Sequence, residues 1–158
     1  MSDDQRASFR ADGISSPLRG LDFAYLVAGL RPVKGPLVAI VDDDDALCSS
    51  LVDLMRSIGY RAEPHHSAEE FLTSVDLLNV HCIVADVHMP GMSGFDLVRR
   101  LRELGFMMPA VLITALPDMH LDDEAILVGA QCFLRKPFEI ESLLDCVERS
   151  LPDERPMQ

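Results

Sequence analysis

Positive charge is what this sequence has least of. Its 158 residues carry 14 Lys and Arg against 26 Asp and Glu, a formal net charge of -12. Nucleic-acid phosphates are held by clustered Lys and Arg, so this balance argues against a nucleic-acid-binding surface. The sequence also lacks any C-x-x-C pair. Cys48, Cys82, Cys132 and Cys146 are scattered, and three of them fall in apolar runs or helical stripes, where a thiol behaves as a small buried hydrophobe. That usage predicts a reduced, cytoplasmic protein without a disulfide framework. No apolar run approaches the ~20 residues that span a bilayer, so no membrane partner is expected. The stretch Phe23–Leu30, preceded by Asp22, makes a poor signal peptide. Disorder is the ordinary reading of an acidic chain, but 48% hydrophobic residues and a mean hydropathy of +0.14 contradict it. The length suits one domain, which buries roughly 70% of its unfolded surface.

The acidity is concentrated. Residues 1–36 hold five basic and four acidic residues, whereas residues 37–151 hold eight basic and twenty acidic. The first block is broken by Gly13, Pro17, Gly20, Gly29, Pro32, Gly35 and Pro36. It reads as a flexible leader with room for a short helix over Leu21–Leu30. Residues 37–151 read as the folded domain and 152–158 as a tail.

Within the domain, short apolar runs alternate with amphipathic stretches. Leu37–Val41, Tyr60–Glu63, Cys82–Ala85, Ala110–Ile113 and Cys132–Leu134 are predicted strands. The continuous apolar character of the first suits a strand covered on both faces. Leu47, Leu51, Leu54, Met55 and Ile58 recur at helical spacing and stop at Gly59. Ser67-x-x-Glu70 is a capping-box pattern opening a second helix. Leu97, Val98, Leu101 and Leu104, closed by Gly105, mark a third; Leu121–Val128 a weaker fourth; and Ile140, Leu143, Leu144, Val147 and Leu151 a last one. Five strands alternating with five helices predict an α/β fold, a doubly wound parallel sheet with helices on both faces.

In such folds ligands sit beyond the carboxyl ends of the strands, and polar residues stand at those ends here. Asp42 and Asp43 follow strand one, Asp86 follows strand three, Thr114 follows strand four and Lys136 follows strand five. Taken singly, each has an ordinary structural explanation. An Asp after a strand is often a helix N-cap, the role expected of Asp44 or Asp45, and a lone Lys is a solvated charge. Their conjunction is the signal. Converging carboxylates repel one another, and a hard divalent cation, Mg²⁺ first, relieves that repulsion. Metal, ammonium and hydroxyl together suit a phosphoryl group, and a central carboxylate suits attack on a phosphoryl donor to form an aspartyl phosphate.

Val41-Asp42-Asp43-Asp44, then Val84-Ala85-Asp86-Val87-His88-Met89-Pro90-Gly91-Met92-Ser93-Gly94, then Leu112-Ile113-Thr114-Ala115, then Lys136-Pro137-Phe138 resemble the receiver domain of two-component response regulators. The resemblance covers about residues 37–151. With Ser67-Ala68-Glu69-Glu70-Phe71 it is most similar to the FixJ-type subgroup. It implies a flavodoxin-like sheet of strand order 2-1-3-4-5. It implies Asp86 as phosphoacceptor, Mg²⁺ held by Asp43, Asp86 and the backbone carbonyl of His88, and Asp42 acting through metal-bound water. Lys136 would pair with phosphoryl oxygens, Thr114 would hydrogen-bond them, and Phe133 would be the aromatic switch. Receivers often hold the bond matching Lys136-Pro137 in cis, which only X–Pro bonds tolerate cheaply.

The implied partners are a histidine kinase or histidine phosphotransfer protein and an unknown downstream protein, with a monomer or a phosphorylation-dependent dimer both open. The resemblance implies no enzyme beyond the domain's own phosphorylation and dephosphorylation. Asp122, Asp123 and Glu124 on the fourth helix speak against a standard dimer and for a basic partner. His65 and His66 lack metal-ligand spacing and read as exposed loop residues. No helix-turn-helix or other output pattern follows the last helix, so the expectation is a stand-alone receiver, with a fragment of a longer regulator left open. Two other readings remain: a phosphate-independent receiver-like binding module, and an aspartyl-phosphate hydrolase of the haloacid dehalogenase kind. The hydrolase would place its nucleophile in an Asp-x-Asp signature after the first strand.

Overall fold

The computed structural model describes residues 35–74 and 76–151. The expected leader helix over Leu21–Leu30 and the tail lie outside the described residues. Among the described residues, five strands form one parallel sheet: β1 (Leu37–Val41), β2 (Arg61–His65), β3 (Cys82–Asp86), β4 (Ala110–Thr114) and β5 (Cys132–Arg135), in the order β2-β1-β3-β4-β5. Between them run α1 (Asp45–Ser57), α2 (Ala68–Ser74), α3 (Gly94–Glu103) and α4 (His120–Val128), with α5 (Ile140–Ser150) after β5 and a 3-10 turn at Leu77–Asn79. This is the expected architecture. No described helix is long and apolar enough to cross a membrane.

The two faces of the sheet explain why its inner strands are apolar along nearly their whole length. Side chains alternate along a strand, so Ala39, Val41, Ile83, Ala85, Ala110 and Leu112 face one way. There they bury Phe71 of α2, Leu97, Val98 and Leu101 of α3, and Ala125 and Val128 of α4. Val38, Ile40, Cys82, Val84, Val111 and Ile113 face the other way, against Cys48, Leu51, Val52 and Met55 of α1 and Leu143, Cys146 and Val147 of α5. Both faces being covered, β1, β3 and β4 are buried along their whole length.

Three expectations need correction. The second strand is Arg61–His65, not Tyr60–Glu63, and runs through Pro64. Proline lacks the ladder donor, but β2 lies at the edge of the sheet, where Pro64 sits opposite Ile40 and no described strand lies beyond. His65 is consequently in the strand and buried rather than in an exposed loop. Its ring meets Phe71 edge-on at 5.2 Å, and burial lowers its pKa, keeping the imidazole neutral. His66 is exposed, as expected, and its Nδ1 lies 2.9 Å from Asp45 Oδ1.

The other two corrections concern cysteine and charge. Cys132 and Cys146 are joined as a disulfide, whereas all four cysteines were expected reduced. They are 14 residues apart in sequence, but β5 lies against α5 and brings their Cα atoms to 6.0 Å. Cys48 and Cys82 are buried free thiols. On α4, Asp122 pairs with Arg135 at 3.0 Å and Glu124 with Arg99 at 2.6 Å. Two of its three acids are therefore matched within the domain, and the argument for a basic partner is weakened.

The start of α3 shows how the fold presents its carboxyl-end loops. Ser93 Oγ accepts from the Asp96 amide at 3.1 Å and the Asp96 carboxylate accepts from the Ser93 amide at 3.3 Å, a reciprocal cap. Gly94 follows at once, and a Cβ there would stand 2.6 Å from the Asp86 carbonyl oxygen and 3.0 Å from Val87 Cα. Both obstacles are backbone, so neither yields easily. Gly94→Ala is expected to lower stability by ~1–3 kcal/mol, read as a lower urea midpoint with unchanged slope; an unchanged midpoint contradicts this close approach.

Candidate functional site

Strands β1 and β3 lie side by side at the centre of the sheet, with Val41 opposite Ala85. Their carboxyl ends therefore place Asp42, the residue after β1, beside Asp86, the last residue of β3. The run Asp42–Asp45 divides into separate tasks. Asp44 is the N-cap of α1, accepting from the Leu47 amide at 3.1 Å. Asp45 lies in the first turn, where a negative charge suits the helix dipole. Asp42 turns inward, is 2% exposed, and accepts from the Asp44 amide at 2.9 Å. Asp43 is exposed beside it.

Carboxylate oxygens of Asp42, Asp43 and Asp86 all lie within 4.8 Å of one another. Lys136, directly after β5, brings Nζ to 3.6 Å from Asp86 Oδ2 and 3.8 Å from Asp42 Oδ2. The Lys136-Pro137 peptide is cis. One ammonium does not balance the cluster. Burial pushes the Asp86 carboxyl above its ordinary range, against the pull of Lys136 and the His88 amide, and Asp43 adds to the rise. Asp42 is raised likewise, chiefly by burial and further by Asp86 and Asp43. Clustered oxygen donors with charge left uncompensated fit a hard divalent cation.

Thr114 and His88 are tied to this cluster through Lys136 and Asp86. Thr114 ends β4 fully buried, and its hydroxyl accepts from the Leu116 amide at 3.1 Å. Its carbonyl accepts from the Lys136 amide at 2.7 Å, joining the ends of β4 and β5. The His88 amide donates to Asp86 Oδ1 at 3.4 Å while the residue itself is exposed. Phe133 stands apart from the carboxylates. Partly buried, it stacks on Phe95 with ring centroids 6.3 Å apart, and the Arg135 guanidinium lies 5.4 Å from its centroid.

Two supporting residues were missed from the sequence. Glu69 of α2 accepts from the Met92 amide at 2.9 Å, holding the loop after β3. Arg135 donates to the carbonyls of Leu116 and Asp118 at 2.7 and 3.0 Å, holding the loop after β4. Each bonds to backbone across 17 or more residues, and no local motif marks such a contact.

A parallel sheet of order 2-1-3-4-5 with acids and a lysine at its carboxyl ends defines a doubly wound α/β domain built around an anionic pocket. The chain belongs to the response regulator receiver domain family, which matches residues 38–148. It is 42% identical over 115 residues to the response regulator protein TmoT of Ectopseudomonas mendocina, covering 73% of this chain and 52% of that one. It is 40% identical over 114 residues to the transcriptional regulatory protein FixJ of Azorhizobium caulinodans, covering 72% and 54%. The chain thus spans about half the length of the curated relatives it matches. The solved structure of FixJ-N superposes with a TM-score of 0.68 at 32% identity, covering 78% of this chain and 99% of that one.

Asp86→Asn removes a buried charge. In the folded chain the raised Asp86 pKa means that stability falls as pH rises from 3.8, the ordinary value, through the folded value. Without divalent cation at neutral pH, the variant should therefore melt ~2–5 °C above wild type, and the gain should vanish near pH 3.8. Thermal unfolding at both pH values checks this, and a lower melting temperature at neutral pH contradicts it.

Proposed function

We propose that this chain is a cytoplasmic phosphoacceptor: Asp86 takes a phosphoryl group from a phosphohistidine of a histidine kinase or phosphotransfer protein in a Mg²⁺-dependent reaction. The observation that carries this reading is Lys136 Nζ lying within 4 Å of both Asp86 and Asp42 inside a three-carboxylate cluster. A carboxylate oxygen of Asp86 attacks phosphorus, the phosphorus–nitrogen bond breaks, and the donor imidazole leaves with the electron pair. Asp42, Asp43, Asp86 and the His88 carbonyl would hold the ion, which when bound neutralises charge on the transferring oxygens.

The chain's own residues do the rest. The Lys136 ammonium, now between two carboxylates, gains a third anionic partner as the phosphoryl group arrives. The Thr114 hydroxyl accepts from the Leu116 amide through a lone pair, so its proton can turn to a phosphoryl oxygen. Movement of Thr114 toward that oxygen would lengthen the bond to Leu116 and loosen the loop after β4. Phe133 and Arg135, stacked on the next strand, respond to the movement. Phosphate stabilises only the arrangement it contacts, so the outcome is a population shift. The shifted face is read by a partner protein.

Incubation of the full chain with Mg²⁺ and acetyl phosphate, followed by intact mass, tests the reading. One phosphoryl adduct is expected on wild type, none with the metal chelated and none on Asp86→Asn. Lys136→Ala should form the adduct about 10²-fold more slowly. No wild-type adduct, or an undiminished one on Asp86→Asn, overturns it.

A further inference from the structure

Four cysteines fall into two physical classes. Cys82 is buried in the middle layer with its thiol pushed up to about 12 by burial, and Cys48 is buried and raised likewise. Both are held in the unreactive protonated form. Cys132 and Cys146 are different. Cys132, the first residue of β5, is only half-buried, and Cys146 of α5 lies against it in the disulfide. Arg149, one turn further along α5, points a guanidinium nitrogen at both sulfurs, 3.7 Å from Cys132 Sγ and 3.9 Å from Cys146 Sγ. Its Nε is engaged by Asp145 Oδ2 at 2.9 Å, which orients the other end of the group toward the sulfur pair.

A cation beside sulfur stabilises the thiolate, and the thiolate is the form that attacks a disulfide. We propose that Cys132 and Cys146, served by Arg149, form a reversible thiol–disulfide site whose co-reactant is a small-molecule disulfide of the glutathione class. The half-buried Cys132 thiolate attacks one sulfur of the oxidised reagent and expels one thiolate, leaving a mixed disulfide. The Cys146 thiolate attacks the Cys132 sulfur and expels the second. Two protein thiols are oxidised, two reagent thiols are formed, and the two thiol protons pass to them. Excess reduced reagent runs the sequence backwards.

The location gives the bond a consequence. Cys132 directly precedes Phe133 and stands four residues before Lys136, so closing the bond ties the amino end of that strand to α5. The site is independent of phosphoryl transfer and stands or falls apart from it.

The test uses the full chain in glutathione buffers of increasing oxidised fraction, quenched with an alkylating reagent. Tryptic cleavage after Arg135 separates the two cysteines, so mass spectrometry reads the link directly. The expected result is a Cys132–Cys146 peptide pair that rises with oxidised glutathione and reverts with reduced glutathione. Cys48 and Cys82 should be alkylated as free thiols, after unfolding, in every buffer. Arg149→Gln should slow linkage several-fold, and Arg149→Lys, which keeps the charge, should restore most of the rate. Absence of the linked pair at every ratio overturns the proposal, as does linkage in Arg149→Gln at the wild-type rate.

Discussion

Negative charge held partly out of water where β1 and β3 end is the constraint around which this domain is organised. Asp42 and Asp86 are both buried, both raised by that burial, and share the Lys136 ammonium at 3.8 and 3.6 Å. A folded protein gains nothing by leaving carboxylates in this condition, since each buried charge costs stability unless it is fully paired. The arrangement persists because the backbone over-determines it. Adjacent parallel strands deliver both side chains to one point, and apolar burial along β1, β3 and β4 offsets the penalty. Local conflict of this kind is where a functional site is expected to lie.

The surrounding structure can be understood as support for that point. The Asp44 cap starts α1 immediately, which turns Asp42 inward and leaves Asp43 beside it. Gly94 lets α3 press against the backbone of Asp86 and Val87, and Glu69 reaches across from α2 to hold Met92, so the loop carrying His88 is fixed from both sides. Arg135 ties down the loop that follows Thr114. Thr114 itself joins the ends of β4 and β5 through its carbonyl, while its hydroxyl is engaged by a single loop amide that can be exchanged. Close backbone approach holds one side of the pocket and side-chain hydrogen bonds hold the other, the side that the proposed switch would use.

Most of this was legible in the sequence, for a physical reason. Strands covered on both faces must be apolar at every position, so β1, β3 and β4 announce themselves, and polar residues that end such runs stand out against them. Asp42, Asp43, Asp86, Thr114 and Lys136 were found in that way, and the roles of the His88 carbonyl and Phe133 were implied by the family resemblance. The edge strand was misplaced because it pairs with a described strand on one side only, so it tolerates Arg61, Glu63 and Pro64 and lacks an apolar signature. His65 followed that error. The Cys132–Cys146 pair and the Arg135 and Glu69 contacts depend on neighbours brought together by the fold, and the matched charges of α4 depend on Arg99 and Arg135 in other elements. Net charge counts such residues but does not say which are already paired.

The central claim is that the anionic cluster is a single divalent-cation site and not merely part of an acidic surface. Titrating Mg²⁺ into the isotopically labelled full chain and following backbone amides by NMR tests this most directly. The account predicts that amides of residues 42–44, 86–88, 114–116 and 136 shift together along one saturating curve, and that Asp43→Asn weakens the response. Shifts spread over the acidic helices without saturation, or an undisturbed response in Asp43→Asn, would contradict it.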